Sequence, residues 1–239
     1  MNAAIITARA GSKSIEDKNV YPVRGKPLMA YPIEAAQHAE LIDEVFVSTD
    51  GESISEVGER MGCETIWRPD EFRVEVGNHG DVIKHAVEYV DAHRPDLRNV
   101  VILLGNVVML DGELIDECLR VLDEREDVDS VMTVWEAADD HPFRALQVVD
   151  GLVRPFPDQP RDIASDRQTY PKVYYYDQGV WALRKECVQT REGPSPWWWM
   201  GKRCHPIVRE WVTGRDIHSF LDMSLAEWWL EHCPDTRHS

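Results

Sequence analysis

Between Ile5 and Asn19 the chain reads Ile-Ile-Thr-Ala-Arg-Ala-Gly-Ser-Lys-Ser-Ile-Glu-Asp-Lys-Asn, a short apolar stretch running straight into a small, basic, glycine-containing loop. Gly11, Ser12 and Ser14 let the backbone approach an anion and aim N–H groups at it, while Arg9, Lys13 and Lys18 place three cations within ten residues. The whole chain carries a formal net charge of −17. A basic knot that opposes the global charge reads as a phosphate cradle, with a plain solvated loop as the alternative. Its spacing excludes two common mechanisms. It has neither the Gly-x-x-x-x-Gly-Lys-Ser/Thr of a nucleotide-hydrolysing phosphate loop nor the Gly-x-Gly-x-x-Gly of a dinucleotide site.

Arg9, Gly11, Ser12, Lys13, Lys18 and Asn19, followed by Gly25-Lys26-Pro27-Leu28, resemble the opening signature of the CMP-acylneuraminate synthetase family of cytidylyltransferases. The likeness continues through Val47-Ser48-Thr49-Asp50 and Arg68-Pro69 and covers most of the chain. It implies an α/β, Rossmann-like nucleotidyltransferase (GT-A-like) fold and CTP-dependent transfer of CMP to an acidic acceptor, a nonulosonic or similar sugar acid, with release of pyrophosphate. It also implies nucleotide-binding roles for Arg9, Ala10, Gly11, Ser12, Lys13, Lys18, Asn19 and Gly105. Lys18, with Arg9, is expected to meet charge on the reacting phosphates. Asp50 has a plain structural alternative, as the cap of the following helix.

Nucleotidyl transfer also needs a divalent cation to neutralise the α-phosphate and the leaving pyrophosphate. Family members carry Asp-Ile-Asp-Thr before the final helix, and here the run is Asp216-Ile217-His218-Ser219, with Asp222 three residues on. Asp216 is therefore the expected Mg2+ ligand, a turn cap being the structural alternative. His218 replaces a carboxylate, and a neutral imidazole is a poor magnesium ligand. Either one carboxylate suffices, with CTP oxygens completing the shell, or the preference moves toward Mn2+ with His218 as a second ligand. A transition-metal site from Cys204, His205 and His218 lacks regular spacing and is disfavoured.

The acceptor side departs furthest from the family. Relatives show Leu-Gln-Pro-Thr-Ser-Pro-Leu-Arg after the fourth strand, where this chain has Leu104-Gly105-Asn106-Val107-Val108-Met109-Leu110-Asp111. Lost donors and an inverted charge predict an altered acceptor pocket in which N-acetylneuraminate fits poorly. Arg68, Arg144, Arg167, Tyr176 and Gln178 are the implied acceptor-binding residues; Tyr176-Asp177-Gln178-Gly179-Val180-Trp181 keeps the glycine of a family Arg-Pro-Asn-Gly-Ala-Ile-Tyr run and loses a charge. Two alternatives stay open here: CMP transfer to a small phosphonate, and a non-catalytic nucleotide-binding protein that kept only the cradle. A uridylyltransferase is disfavoured because its longer glycine-rich opening is absent. Trp197, Trp198 and Trp199 either stack on a base or pack in a core or interface. Packing is favoured, since three consecutive indoles cannot all point the same way.

At 239 residues the chain is long enough to bury a substantial core and fits one α/β domain. Its 43 Asp plus Glu against 26 Lys plus Arg repel nucleic acid and anionic membranes, so the expected partners are small molecules, CTP and an acidic acceptor. Cys63, Cys118, Cys187, Cys204 and Cys233 are scattered, odd in number and without a Cys-x-x-Cys pair, which predicts reduced thiols. With no charged-then-apolar leader at Met1 and no apolar run near the ~20 residues of a membrane span, a cytoplasmic protein is expected.

The elements that must position these residues follow from periodicity. Ala3 to Ala8 is a nearly continuous apolar run, the pattern of a strand buried on both faces of a parallel sheet. A helix is predicted from Met29, where Pro32 is tolerable only in the first turn. Glu44 to Thr49 reads as a strand, Ser53 to Met61 as a helix stopped by Gly62, and Glu64 to Arg68 as a strand. A long amphipathic helix through Val82 and Val90, a strand from Val100 to Leu104, a helix through Leu114 and Leu122, and a strand from Ser130 to Trp135 complete a parallel core. Ligands are then expected at the carboxyl ends of the strands. Ala137 to Lys172 is broken by prolines around two short strands, Ala145 to Val149 and Leu152 to Pro155. It is predicted to be an inserted lid or an arm that grips a second subunit in a homodimer. Tyr174 to Leu183 and His205 to Val212 are predicted strands, Gly193 to Gly201 a loop, and Met223 to His232 a closing helix.

Overall fold

The computed structural model describes residues 1–12, 14–72, 79–156 and 166–232, with Arg167 described by its backbone alone. In chain order the elements are strand β1 (Asn2–Thr7), the small strands β2 (Pro22–Val23) and β3 (Lys26–Pro27), helix α1 (Ala30–His38), β4 (Glu44–Thr49), α2 (Glu52–Arg60), β5 (Glu64–Trp67) and α3 (His79–His93). There follow β6 (Asn99–Leu104), α4 (Gly112–Glu124), β7 (Ser130–Glu136), the short strands β8 (Leu146–Val149) and β9 (Leu152–Pro155), β10 (Tyr174–Arg184), α5 (Cys187–Thr190), β11 (Cys204–Arg209) and α6 (Phe220–His232). Every predicted element of the core is present, with ends within a few residues of expectation.

Among the described residues, seven strands form one sheet in the order β11-β7-β10-β6-β1-β4-β5. All neighbours are parallel except β10, which runs antiparallel to both β6 and β7. Central β1 shows why its sequence does not alternate. Ala4 and Ile6 pack on the face carrying α1, α2 and α4, while Ala3 and Ile5 pack on the face carrying α3 and α5. Both faces are covered, so every position is apolar. A third cluster seats α6 through Met223, Ala226 and Trp229 on Val23 and Leu28 of the β2–β3 clip and on Val108, Met109 and Ile217. That cluster lies outside the sheet and fixes the segment before α6 over the end of β6.

The tryptophan run is packing, as favoured from sequence. Trp198–Met200 forms a 3-10 turn, Trp199 is buried in the α3 face of the core, and Trp197 and Trp198 pack against it. Gly80 in the first turn of α3 makes room, because a Cβ there would strike the Trp198 and Trp199 rings. Within the predicted arm, β8 and β9 form a hairpin whose turn puts Asp150 and Gly151 at positive φ (53° and 75°), the pairing that suits a tight two-residue turn. The arm's base is anchored by buried His141, whose Nε2 lies 3.0 Å from the Pro171 carbonyl while Nδ1 accepts the Phe143 N–H at 3.1 Å. Beyond it, Leu146, Val148, Leu152 and Val153 are exposed. Cys63, Cys118, Cys187 and Cys204 are free thiols, and among the described residues no helix is long and apolar enough to cross a membrane.

Candidate active site

The cradle sits where a parallel sheet places ligands, beyond the carboxyl ends of β1 and β6. Gly11 takes a left-handed conformation (φ 66°) that favours glycine. The loop is held from three sides. The Ala10 N–H donates to Asp50 Oδ1 at 2.8 Å, so Asp50 braces the loop instead of capping α2, whose cap position is Gly51 and has no side-chain cap. Buried Asn19 donates from Nδ2 to the Arg9 carbonyl at 2.9 Å. The Gly105 N–H donates to the Thr7 carbonyl at 3.0 Å, and a Cβ on Gly105 would lie 2.8 Å from the Ala8 Cβ and 3.2 Å from Asn19 Oδ1. Glycine therefore lets β6 approach the loop closely. Arg9 and Gly11 are exposed and Ser12 half-buried, at the open side of the cradle. Lys13 lies outside the described residues.

Lys18 lies far in sequence from the segment it touches. Its ammonium donates to the Ile217 carbonyl at 2.7 Å. The 214–217 segment is itself fastened to the end of β6. The Ile217 N–H donates to the Asn106 carbonyl, Val107 and Asp216 form an isolated antiparallel bridge, and Asn106 Nδ2 donates to Asp216 Oδ2 at 3.1 Å and to the Ile217 carbonyl at 3.2 Å. Asn106 was not singled out from sequence, and no local motif marks it. Burial pushes the Lys18 pKa down and Arg9 adds to this, while Asp216 and Asp222 oppose it. An arriving triphosphate would favour the charged form.

Asp216 presents one carboxylate to this space. Its Oδ2 takes Asn106 and the His218 Nε2 at 2.8 Å, and Oδ1 has no partner among the described residues. His218 is 70% exposed and turned onto Asp216. Asp222 is spoken for: its Oδ2 accepts the Ser219 N–H and hydroxyl at 2.8 Å and the His218 N–H at 3.1 Å at the start of α6. Among the described residues no group of three or more His, Cys, Asp or Glu side chains could hold a metal ion. Asp216 offers one free carboxylate oxygen, the kind of donor that a magnesium ion would take while filling its shell from phosphates and water.

The acceptor-side expectations divide. Arg68 is buried beside the cradle, with Nε 3.2 Å from Ser48 Oγ and Nη2 donating to the Ser48 carbonyl at 2.8 Å. Burial pushes its pKa down to about 10, with Asp50 opposing. His79, missed from sequence, places Nε2 3.3 Å from the Thr7 hydroxyl, and burial together with Arg68 pushes its pKa down to about 4. Gln178 is held next to the site by its N–H, which donates to the Gly214 carbonyl at 2.9 Å. Tyr176 packs at a tilt on Trp197, with ring centroids 4.1 Å apart and the planes inclined by 58°. Arg144 is not brought to the cradle by any described contact; it pairs with Asp139 on the arm at 3.2 Å. The Arg167 side chain lies outside the described residues.

The expectation for Asp111 is corrected by the structure. Instead of facing an acceptor, its carboxylate accepts the Leu114 N–H at 2.9 Å as the cap of α4. Val107, Val108, Met109 and Leu110 are buried core residues. Where the family run has hydroxyls, this chain packs apolar side chains beneath α4 and α6, because residues pointing into two hydrophobic clusters are selected for volume and not for donors.

Residues 3–156 match the family model described as Cytidylyltransferase. An N-acylneuraminate cytidylyltransferase of Escherichia coli O18:K1:H7 is 40% identical over 89 residues, 37% of this chain and 21% of that protein. A pseudaminic acid cytidylyltransferase of Campylobacter jejuni is 31% identical over 117 residues, 48% of this chain and 50% of that protein. The matched stretch thus spans between about a fifth and a half of these relatives' length. Among solved structures, a CMP:2-keto-3-deoxy-manno-octonic acid synthetase complexed with CTP superposes with a TM-score of 0.70 at 16% identity, covering 96% of this chain and 98% of that one. A 4-diphosphocytidyl-2C-methyl-D-erythritol synthase from Anaerococcus prevotii superposes at 0.63. The family model spans more than half of this sequence, and on that match the chain belongs to the cytidylyltransferase family.

Proposed function

We propose that this protein transfers CMP from CTP to a sugar acid of the nonulosonic type, releasing pyrophosphate in a magnesium-dependent reaction. The observation that carries the reading is the joining of Lys18 and the Asp216 segment over the open end of β6, next to the glycine loop. An acceptor hydroxyl oxygen attacks the α-phosphorus, the bond from that phosphorus to the bridging oxygen breaks, pyrophosphate leaves with the bonding pair, and the hydroxyl proton passes to solvent. The loop's backbone N–H groups and Arg9 hold the phosphates, and Lys18 meets charge growing on them. Asp216 would hold magnesium through Oδ1, and the ion would neutralise phosphate oxygens. Gly105 keeps the nucleotide side close to the loop. Arg68, with Tyr176 and Gln178 on β10, supports the acceptor side.

The acceptors named for the relatives are N-acylneuraminate, pseudaminic acid and diacetyllegionaminic acid. They support a sugar acid over a phosphonate. A thermal-shift screen of nucleoside triphosphates with magnesium tests the donor, because a ligand bound only to the native state raises stability with its concentration. Pyrophosphate release with CTP and a panel of sugar acids and phosphonates tests the acceptor. Equal stabilisation by all four triphosphates, or turnover with phosphonates alone, would overturn the reading.

The exposed apolar hairpin β8–β9 supports a homodimer in which the arm packs on a second copy, because solvated Leu146, Val148 and Leu152 gain from burial. Sedimentation should show a dimer at micromolar concentration, and Val148→Asp with Leu152→Asp should shift it to monomer. A wild-type monomer would make the arm a lid.

A further inference from the structure

Beneath the segment that carries Asp216 lies a buried ionic knot that the phosphate chemistry does not use. Asp177 is inaccessible to solvent in its side chain, and Arg209 at the end of β11 is nearly so. Asp177 Oδ1 accepts from the Thr133 hydroxyl and from the Gly179 N–H at 2.8 Å. Among the described residues its Oδ2 has no hydrogen-bond partner and lies 3.8 Å from Arg209 Nη1, which is likewise unpartnered among them, while Arg209 Nη2 donates to the Met109 carbonyl at 2.9 Å. Buried charges so incompletely satisfied are a poor source of stability, since an apolar pair of similar volume usually does as well.

What this pair does supply is geometry. Asp177 opens the irregularity at which the β10 register shifts between Tyr176 and Trp181, and it holds that bulge through Gly179 while the Thr133 hydroxyl accepts the Val180 N–H at 2.9 Å. The bulge in turn carries the 214–217 segment. The Gln178 N–H donates to the Gly214 carbonyl at 2.9 Å, and a Cβ added at Gly214 would coincide with the Asp177 side chain. Three residues further, the Ile217 N–H is fastened to Asn106, and the Ile217 carbonyl takes the Lys18 ammonium.

We propose that Asp177 is a positioning residue for Lys18 and Asp216: its carboxylate shapes the β10 bulge and forms the seat on which the Gly214–Ile217 strap rests. The inference rests on the cytidylyl-transfer reading for Lys18 and Asp216, but the seat itself is testable apart from it. Asp177→Asn keeps the volume and the acceptor to Gly179 while removing the charge facing Arg209. In this variant the magnesium concentration for half-maximal pyrophosphate release should rise at least fivefold and kcat fall at least tenfold, with the KM for CTP within threefold of the parent. Amide exchange at Gln178 and Ile217 should accelerate at least tenfold, with Ile5 in the central strand unchanged.

An unchanged magnesium response, or unchanged exchange at Gln178 and Ile217, overturns the proposal. If the parent shows no CTP-dependent pyrophosphate release, the cytidylyl-transfer reading fails, and the exchange measurement still decides the seat. If Asp177→Asn does not fold, Gly214→Ala decides instead. It keeps both charged residues and needs no left-handed backbone, yet its methyl group would lie 2.1 Å from Asp177 Cβ and 2.3 Å from Oδ2, so the strap and the carboxylate must move apart. It should show the same changes in magnesium response and in exchange, and parental behaviour in either readout would refute the seat.

Discussion

Replacing Lys18 by methionine keeps most of the side chain's length and removes the ammonium that reaches the Ile217 carbonyl at 2.7 Å. Two opposing terms set the cost to stability. A hydrogen bond from a charged group contributes about 1.5 to 3 kcal/mol. Against this, burial and Arg9 already disfavour the ammonium, as its lowered pKa shows, so removing it relieves a penalty. The net loss should be under about 1 kcal/mol, a fall in Tm of no more than about 2 to 4 °C for a chain of this size. Catalysis should suffer far more. A preorganised cation that meets charge developing on the phosphates is worth about 3 kcal/mol, which is about 150-fold in kcat. The assay is pyrophosphate release at saturating CTP, acceptor and magnesium, with a thermal-shift titration of CTP as the binding control. A kcat within threefold of the parent, in a variant that still melts cooperatively, would refute the assignment of Lys18 to the reacting phosphates.

Gly105→Ala should destabilise the fold by about 1 to 3 kcal/mol in urea unfolding, the usual cost of overpacking, because its Cβ would sit 2.8 Å from the Ala8 Cβ; the KM for CTP should rise about tenfold as the loop is pushed back. Asp216→Asn should raise the magnesium concentration for half-maximal activity at least tenfold while leaving Tm nearly unchanged, as read from metal titrations. His79 gives the protein an acid-sensitive term. The unfolded chain takes up this proton near pH 6.5 and the folded chain only near about 4, so the stability tied to neutral His79 is complete above 6.5 and is lost as pH falls toward 4. The gap is worth about 3 kcal/mol, and His79→Gln should flatten urea-measured stability across that window.

Much of this molecule is written locally. The apolar run Ala3 to Ala8, the helices after Met29 and through Val82, and the basic glycine loop are legible because strand burial, helix periodicity and phosphate contact each impose a pattern on adjacent residues. Family resemblance extended that reading to Lys18, Asn19 and Asp216. The chain's folding in space decided the rest. Asp50 braces the loop through Ala10 although sequence equally allows a helix cap, and Asp111 caps a helix although its alignment suggests an acceptor contact. Val107 and Val108 turned out to be core, since burial depends on which elements cover them. Asn106, His79 and the Asp177–Arg209 pair carry no motif at all. Their partners lie between 32 and 111 residues away along the chain, and a contact between such distant residues is set by the sheet order that brings β1, β6, β10 and β11 together. Local sequence specifies what each residue can do; the sheet decides which residues meet.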